Sequence, residues 1–128
     1  MTTEVTVKTG TVLVVDDEAS IRELVSLTLL DEGYQVVTAV HGVDALQQLN
    51  SVSPCVILLD MRMPVMDGWA FARAYRQLSG PKAPLVVLTA ATDAAAFAAQ
   101  VQADGFLAKP FDLGHLIELV EHYCPESL

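Results

Sequence analysis

From residue 11 onward, short apolar runs alternate with longer segments of helical period. Thr11-Val12-Leu13-Val14-Val15 is β-branched and apolar on both faces, as a strand covered on both sides by helices requires. From Ser20 the period changes. Ile21, Leu24, Val25, Thr28 and Leu29 fall on one helical face, and Gly33 stands where a helix end takes a left-handed glycine. Tyr34 to Ala39 predicts a second strand and Val43 to Leu49 a second helix, broken by Ser51, Ser53 and Pro54. Val56-Ile57-Leu58-Leu59 is the most continuous apolar strand and ends at Asp60. A loop from Met63 to Gly68, with Gly68 read as a turn glycine and Asp67 as a turn or cap residue, leads to a helix over Trp69–Gln77. Leu85 to Leu88 is a fourth strand, Asp93 to Gln102 an alanine-rich helix, and Phe106 to Ala108 a short fifth strand. Asp112 can cap a last helix whose Leu113, Leu116, Ile117 and Val120 share one face.

The order is (βα)₅ with short connections, which implies a parallel sheet reached by right-handed crossovers. The predicted class is α/β: a doubly wound, five-stranded parallel sheet in the order 2-1-3-4-5, flavodoxin-like. One domain is expected over residues 10–124, with an N-terminal tail of 1–9 and a C-terminal tail of 125–128.

Polar residues collect at the carboxyl ends of these strands. The first ends at Asp16-Asp17, the third at Asp60, the fourth at Thr89 and the fifth at Lys109. Ligands of open α/β sheets bind beyond the strand carboxyl ends where strand order reverses, here between the first and third strands. Strand ends meet water, so any one polar residue there is ordinary; three carboxylates, a hydroxyl and an ammonium at one sheet edge are not. Crowded carboxylates repel unless a cation joins them, and oxygen ligands without His or Cys suit a hard cation such as Mg²⁺. An aspartate so placed can take a phosphoryl group as an acyl phosphate, with the metal, Lys109 and the Thr89 hydroxyl spreading the charge.

Composition narrows the picture. Hydrophobic residues make up 52%, enough for a sizeable core. Sixteen acidic residues against seven basic ones, a formal charge of −9, argue against a nucleic-acid footprint and against an anionic membrane surface. Cys55 opens an apolar run and reads as a buried small hydrophobe; Cys55 and Cys124, as two thiols, suit a reducing cytoplasm. No segment approaches the roughly 18 apolar residues of a membrane span.

Val14-Val15-Asp16-Asp17-Glu18, Leu59-Asp60-Met61-Arg62-Met63-Pro64-Val65-Met66-Asp67-Gly68, Leu88-Thr89-Ala90 and Lys109-Pro110-Phe111 together resemble the receiver domain of two-component response regulators, the CheY-like family. The resemblance covers nearly the whole chain. It implies that Asp60 is the phospho-acceptor and that Thr89 and Lys109 bind the phosphoryl group. It further implies that Asp17, Asp60 and the Arg62 backbone carbonyl ligate Mg²⁺, with Asp16 acting through water. A cis Lys109-Pro110 bond is expected, and Phe106 matches the aromatic that rotates inward with Thr89. Phe106 lacks the hydroxyl of the Tyr in many relatives, so burial alone must hold its inward state.

The implied activity is a phosphorylation-dependent signalling switch rather than an enzyme, beyond self-catalysed phosphorylation and dephosphorylation. The implied partners are a sensor histidine kinase or histidine phosphotransfer protein, and a downstream protein meeting helix four, strand five and helix five. With no room for an output domain after helix five, either a stand-alone regulator or an excised receiver is expected, and the lack of a tag-like or linker-like tail leans towards the first. A haloacid-dehalogenase-type phosphohydrolase is the alternative, but it needs a second Asp where Arg62 stands. A flavodoxin-like FMN site is disfavoured by Asp16-Asp17-Glu18 where a phosphate cradle should be. His41, His115 and His122 read as surface or partly buried side chains, and Trp69 as packing.

Overall fold

The computed structural model describes Val7, Lys8 and residues 10–127. Apart from Val7 and Lys8, the reading of residues 1–9 as a tail falls outside the described residues. The elements run β1 (Val7–Lys8), β2 (Thr11–Val15), α1 (Ala19–Asp31), β3 (Gln35–Ala39), α2 (Gly42–Gln48) and β4 (Val56–Asp60). They continue with α3 (Gly68–Gln77), β5 (Leu85–Ala90), α4 (Ala94–Val101), β6 (Gly105–Lys109), α5 (Leu113–Tyr123) and β7 (Glu126–Ser127).

Five strands form one parallel sheet in the order β3-β2-β4-β5-β6. Counting only these five along the chain, that is the expected 2-1-3-4-5. Val7 and Lys8 pair antiparallel with Ser127 and Glu126 in a separate two-stranded ribbon. Two cores form because successive strand residues point to opposite faces. Leu13, Val15, Ile57, Leu59, Leu85 and Val87 meet Phe71 and Tyr75 of α3 and Phe97 of α4. Val12, Val14, Leu58, Val86 and Leu88 meet Val25 and Leu29 of α1 and Leu116 and Val120 of α5. Every residue of β4 is buried, Asp60 included.

Local chemistry sets the helix ends. Gly33, at φ 97°, follows α1, and the Gly33 and Tyr34 amides donate to Leu30 and Leu29 carbonyls. Asp67 and Asp112 cap α3 and α5 by accepting from the Ala70 and His115 amides. His41 caps α2, its Nδ1 accepting from the Asp44 amide at 3.1 Å, a role the sequence did not single out.

Three expectations are corrected. Leu24 is 43% exposed, because it lies about 100° around α1 from Val25, off the stripe that meets the sheet. Gly68 is the first residue of α3, not a turn residue, and is needed for close approach. A Cβ there would lie 2.5 Å from Met61 Sδ, 2.7 Å from Met61 Cα and 2.8 Å from the Asp60 carbonyl oxygen. Cys55 and Cys124 are not separate thiols but a disulfide, with Cα atoms 5.5 Å apart across 69 residues of sequence. In a parallel α/β sheet the strands begin, and the helices end, at the amino edge. Cys55 immediately precedes β4 and Cys124 immediately follows α5, so topology brings them together. The argument from free thiols to a reducing compartment thereby loses its premise. Among the described residues no helix is long and apolar enough to cross a membrane.

The obstruction at Gly68 is largely backbone, which cannot swing aside. Gly68→Ala is expected to destabilise the fold by about 2 kcal/mol, seen as a lower urea midpoint at unchanged slope.

Candidate functional site

The carboxyl edge of the sheet gathers the expected polar groups. Asp16 follows β2 and is fully buried, and each of its groups is used. Its amide donates to the Ala39 carbonyl at 3.1 Å, and its carbonyl accepts from the Arg22 guanidinium at 2.9 Å. Its Oδ1 accepts from the Glu18 amide at 2.9 Å, and its Oδ2 pairs with Lys109 Nζ at 2.7 Å. Asp17 is exposed beside it. Asp60, 6% exposed, ends β4, and its Oδ1 lies 3.7 Å from Lys109 Nζ. Carboxylate oxygens of Asp16, Asp17 and Asp60 all lie within 4.8 Å of one another. Thr89, buried near the end of β5, and Lys109, at the end of β6, complete the edge. An open cleft of about 570 Å³ is lined by Asp17, Asp60, Arg62, Thr89, Asp93 and Lys109, among others.

Electrostatics follow from this crowding. Burial, then the negative charge of Asp16, lifts the Asp60 carboxyl from its ordinary 3.8 to about 7; Asp17 adds to this, while Lys109 and the Met61 amide oppose it. Burial pulls the Lys109 ammonium down. The hydrogen bond to Asp16 and the charges of Asp16, Asp60 and Glu18 together prevail and hold it above its ordinary 10.5. Three close carboxylate oxygens with no soft donor among them fit a hard divalent cation.

The loop after Asp60 is held from several sides. Met66 donates to the Pro64 carbonyl at 2.7 Å around Val65, whose φ is 68°, forming a γ-turn. The Met66 carbonyl accepts from the Gly42 amide at 3.0 Å. The Arg62 guanidinium lies 5.2 Å from the Phe97 ring centre and 5.9 Å from that of Trp69. Trp69 meets Phe97 edge-on at 4.7 Å and donates from Nε1 to Gln100 Oε1 at 2.8 Å. Trp69 is packing, as expected, but it also fastens α3 to α4.

The Lys109-Pro110 bond is cis, as expected. Phe106 stands outward at 46% exposure. His115 and His122 are exposed and His41 is half-buried, all away from the cleft lining. Two contributors escaped the sequence reading: Arg22, which braces Asp16, and Asp93 in the cleft wall. Helical spacing puts Arg22 one turn beyond Glu18, a signal that could have found it; Asp93 carried none. Glu18, noted only as part of the acidic loop, has its Oε1 3.6 Å from Lys109 Nζ.

Residues 12–121 match the response regulator receiver domain family. The chain belongs to that family. As a receiver domain it is a phospho-accepting signalling switch of two-component systems, a class that is generally not enzymatic. The receiver is 40% identical over 114 residues to the DNA-binding transcriptional regulator NtrC of Escherichia coli K12, covering 88% of this chain but 24% of that protein. It thus spans about a quarter of the length of that relative. The chemotaxis response regulator CheY4 of Vibrio cholerae superposes with a TM-score of 0.80 at 38% identity, over 89% of this receiver and 98% of that chain. The receiver domain of NtrX from Brucella abortus gives 0.79 at 33% identity, over 88% and 96%. None of these likenesses favours a phosphohydrolase.

The raised Asp60 sets a pH dependence. Its folded value of about 7 exceeds the unfolded value near 3.8, so the native state holds the proton more tightly. Without divalent cation, stability is therefore greatest below about pH 4 as far as this group is concerned, and this advantage is lost as pH rises through 7. Asp60→Asn should remove that trend and raise the stability of the metal-free protein at pH 8 by about 2 kcal/mol. Urea unfolding at pH 5 and pH 8 in chelator measures both effects.

Proposed function

We propose that Asp60 is the residue that accepts the phosphoryl group, from a phosphohistidine of a sensor histidine kinase or histidine phosphotransfer protein. One observation supports this most directly: Asp60 ends a fully buried central strand while its carboxylate shares Lys109 with the buried Asp16. An Asp60 carboxylate oxygen attacks the phosphorus, the phosphorus–nitrogen bond breaks, and the imidazole leaves with the electron pair. Lys109, steadied by Asp16, pairs with the phosphoryl oxygens once the Asp60 charge is shared with them. The Thr89 hydroxyl donates a hydrogen bond to the same group.

Asp17, Asp60 and the backbone carbonyl of Arg62 would hold Mg²⁺, with Asp16 acting through water. When bound, the ion supplies positive charge that keeps Asp60 ionised and offsets the phosphoryl oxygens. Asp16 is already engaged on both oxygens by the Glu18 amide and Lys109, which suits an indirect part. Any catalysis is confined to the receiver's own phosphorylation and dephosphorylation. At the position two after Asp60, a phosphohydrolase of haloacid-dehalogenase type would use an acid/base carboxyl; here the Arg62 side chain lies on Phe97 instead.

The signal leaves through Thr89 and Phe106. Movement of Thr89 towards the phosphoryl group vacates volume that the outward Phe106 ring fills, since packed interiors tolerate few voids. The face of α4, β6 and α5 then changes shape for a downstream protein partner. With a net charge of −9, the receiver itself meets neither nucleic acid nor membrane; membership of the receiver family, and not its cysteines, supports a place in the cytoplasm.

Acetyl phosphate or phosphoramidate with Mg²⁺ should add one phosphate by intact mass, and Asp60→Asn should take none; full labelling of that variant would overturn the assignment. Asp17→Asn should weaken Mg²⁺ binding severely in a calorimetric titration. Beryllofluoride should move the NMR signals of Phe106 and α4. Changes confined to the loops around Asp17 and Arg62 would mean that the signal leaves by another surface.

A further inference from the structure

The amino edge of the sheet, opposite the acidic cleft, carries a second reactive pair. Cys124 is wholly buried at the end of α5, and Cys55 is half-buried immediately before β4. The fold holds the two together by means other than their bond. The buried Tyr34 hydroxyl donates to the Cys124 carbonyl at 3.3 Å, and just beyond Cys124 the chain pairs with Val7 and Lys8. On the other side the Cys55 amide donates to the Thr11 carbonyl at 2.9 Å. Gly10, at φ 104°, leaves room for the Cys55 sulfur; a Cβ there would lie 2.6 Å from it. A groove of about 500 Å³ bordered by Ser53, Pro54, Lys82 and Tyr123 reaches Cys55 from solvent.

From this juxtaposition we propose that Cys55 and Cys124 are a reversible thiol–disulfide modification site, addressed by small-molecule disulfides through Cys55. The Cys55 thiolate attacks one sulfur of a disulfide RSSR, forming Cys55–S–S–R and releasing RS⁻. The Cys124 thiolate then displaces the second RS⁻ and closes the protein disulfide. The two cysteine thiols lose two electrons to RSSR, and their two protons end on the two RSH formed. Reduction by the same thiol runs these steps backwards. Because Tyr34 and the terminal ribbon keep the thiols adjacent, closing and opening need no rearrangement of the fold. The closed bond ties the end of α5 to the root of the strand that carries Asp60; in the open form that end is held only by the Tyr34 hydrogen bond and the terminal ribbon. The site is independent of the reading of Asp60 as phospho-acceptor.

The test uses the full chain equilibrated in a series of glutathione and glutathione disulfide mixtures, then acid-quenched, denatured, alkylated with N-ethylmaleimide and weighed intact. The expected result is a passage from no labelled thiol to two along the series, with only a minor singly labelled species. The thermal midpoint of the reduced form should fall by roughly 10 °C, with faster amide exchange at the last turn of α5. Cys55→Ser should make the midpoint indifferent to reductant. A thiol count that stays at two or at none throughout the series overturns the proposal, as does a wild-type midpoint that ignores the reductant.

Discussion

Three carboxylates share one corner of a parallel sheet with a single lysine, and much of the rest of the molecule serves to keep them there. Left alone, the corner is electrostatically unfavourable. Asp16 is tolerable only because each of its oxygens, its amide and its carbonyl has a partner. Asp60 has fewer partners, and its carboxyl is the group whose affinity for a proton rises. The same repulsion that weakens the corner makes it receptive to any group that brings positive charge or spreads negative charge.

Rigidity around the corner comes from the sheet. Asp60 and Lys109 end strands and Asp16 directly follows one, so their positions follow from strand register rather than from loop packing. Thr89, inside β5, is placed by that register too. Glycine at position 68 extends this control beyond the strand, since α3 begins directly against the Asp60–Met61 backbone. A side chain there would push the helix off the acidic corner.

Much of this was legible in the sequence because the pattern breaks are loud. A buried parallel strand such as Val56–Asp60 has no reason to end in a carboxylate, and two such breaks, with Thr89 and Lys109 at the ends of two further strands, locate a site before any coordinates. The parallel crossovers followed from element alternation, and the strand order was the common one for such a sheet. What escaped depends on distance between elements. The Cys55–Cys124 bond spans 69 residues and carries no spacing signal. Gly68 looked like turn punctuation because sequence cannot show which backbone lies against a helix. Leu24 looked like core because the helical period alone does not say how wide a stripe the sheet covers. The part played by His41 as a cap was hidden because an accepting imidazole nitrogen has no motif.

The knot of Arg62, Trp69, Phe97 and Gln100 has an optical consequence. Trp69 is the sole tryptophan of the chain. Its indole sits under a guanidinium from the loop that follows Asp60 and hydrogen-bonds to a side chain of α4. Any slippage between that loop and α4 alters both the cation near the ring and the partner of its N–H, the two influences that set indole emission colour and yield. The protein therefore carries an unlabelled fluorophore at the joint between its acidic corner and α4, and the state of that joint is open to observation by ultraviolet light alone.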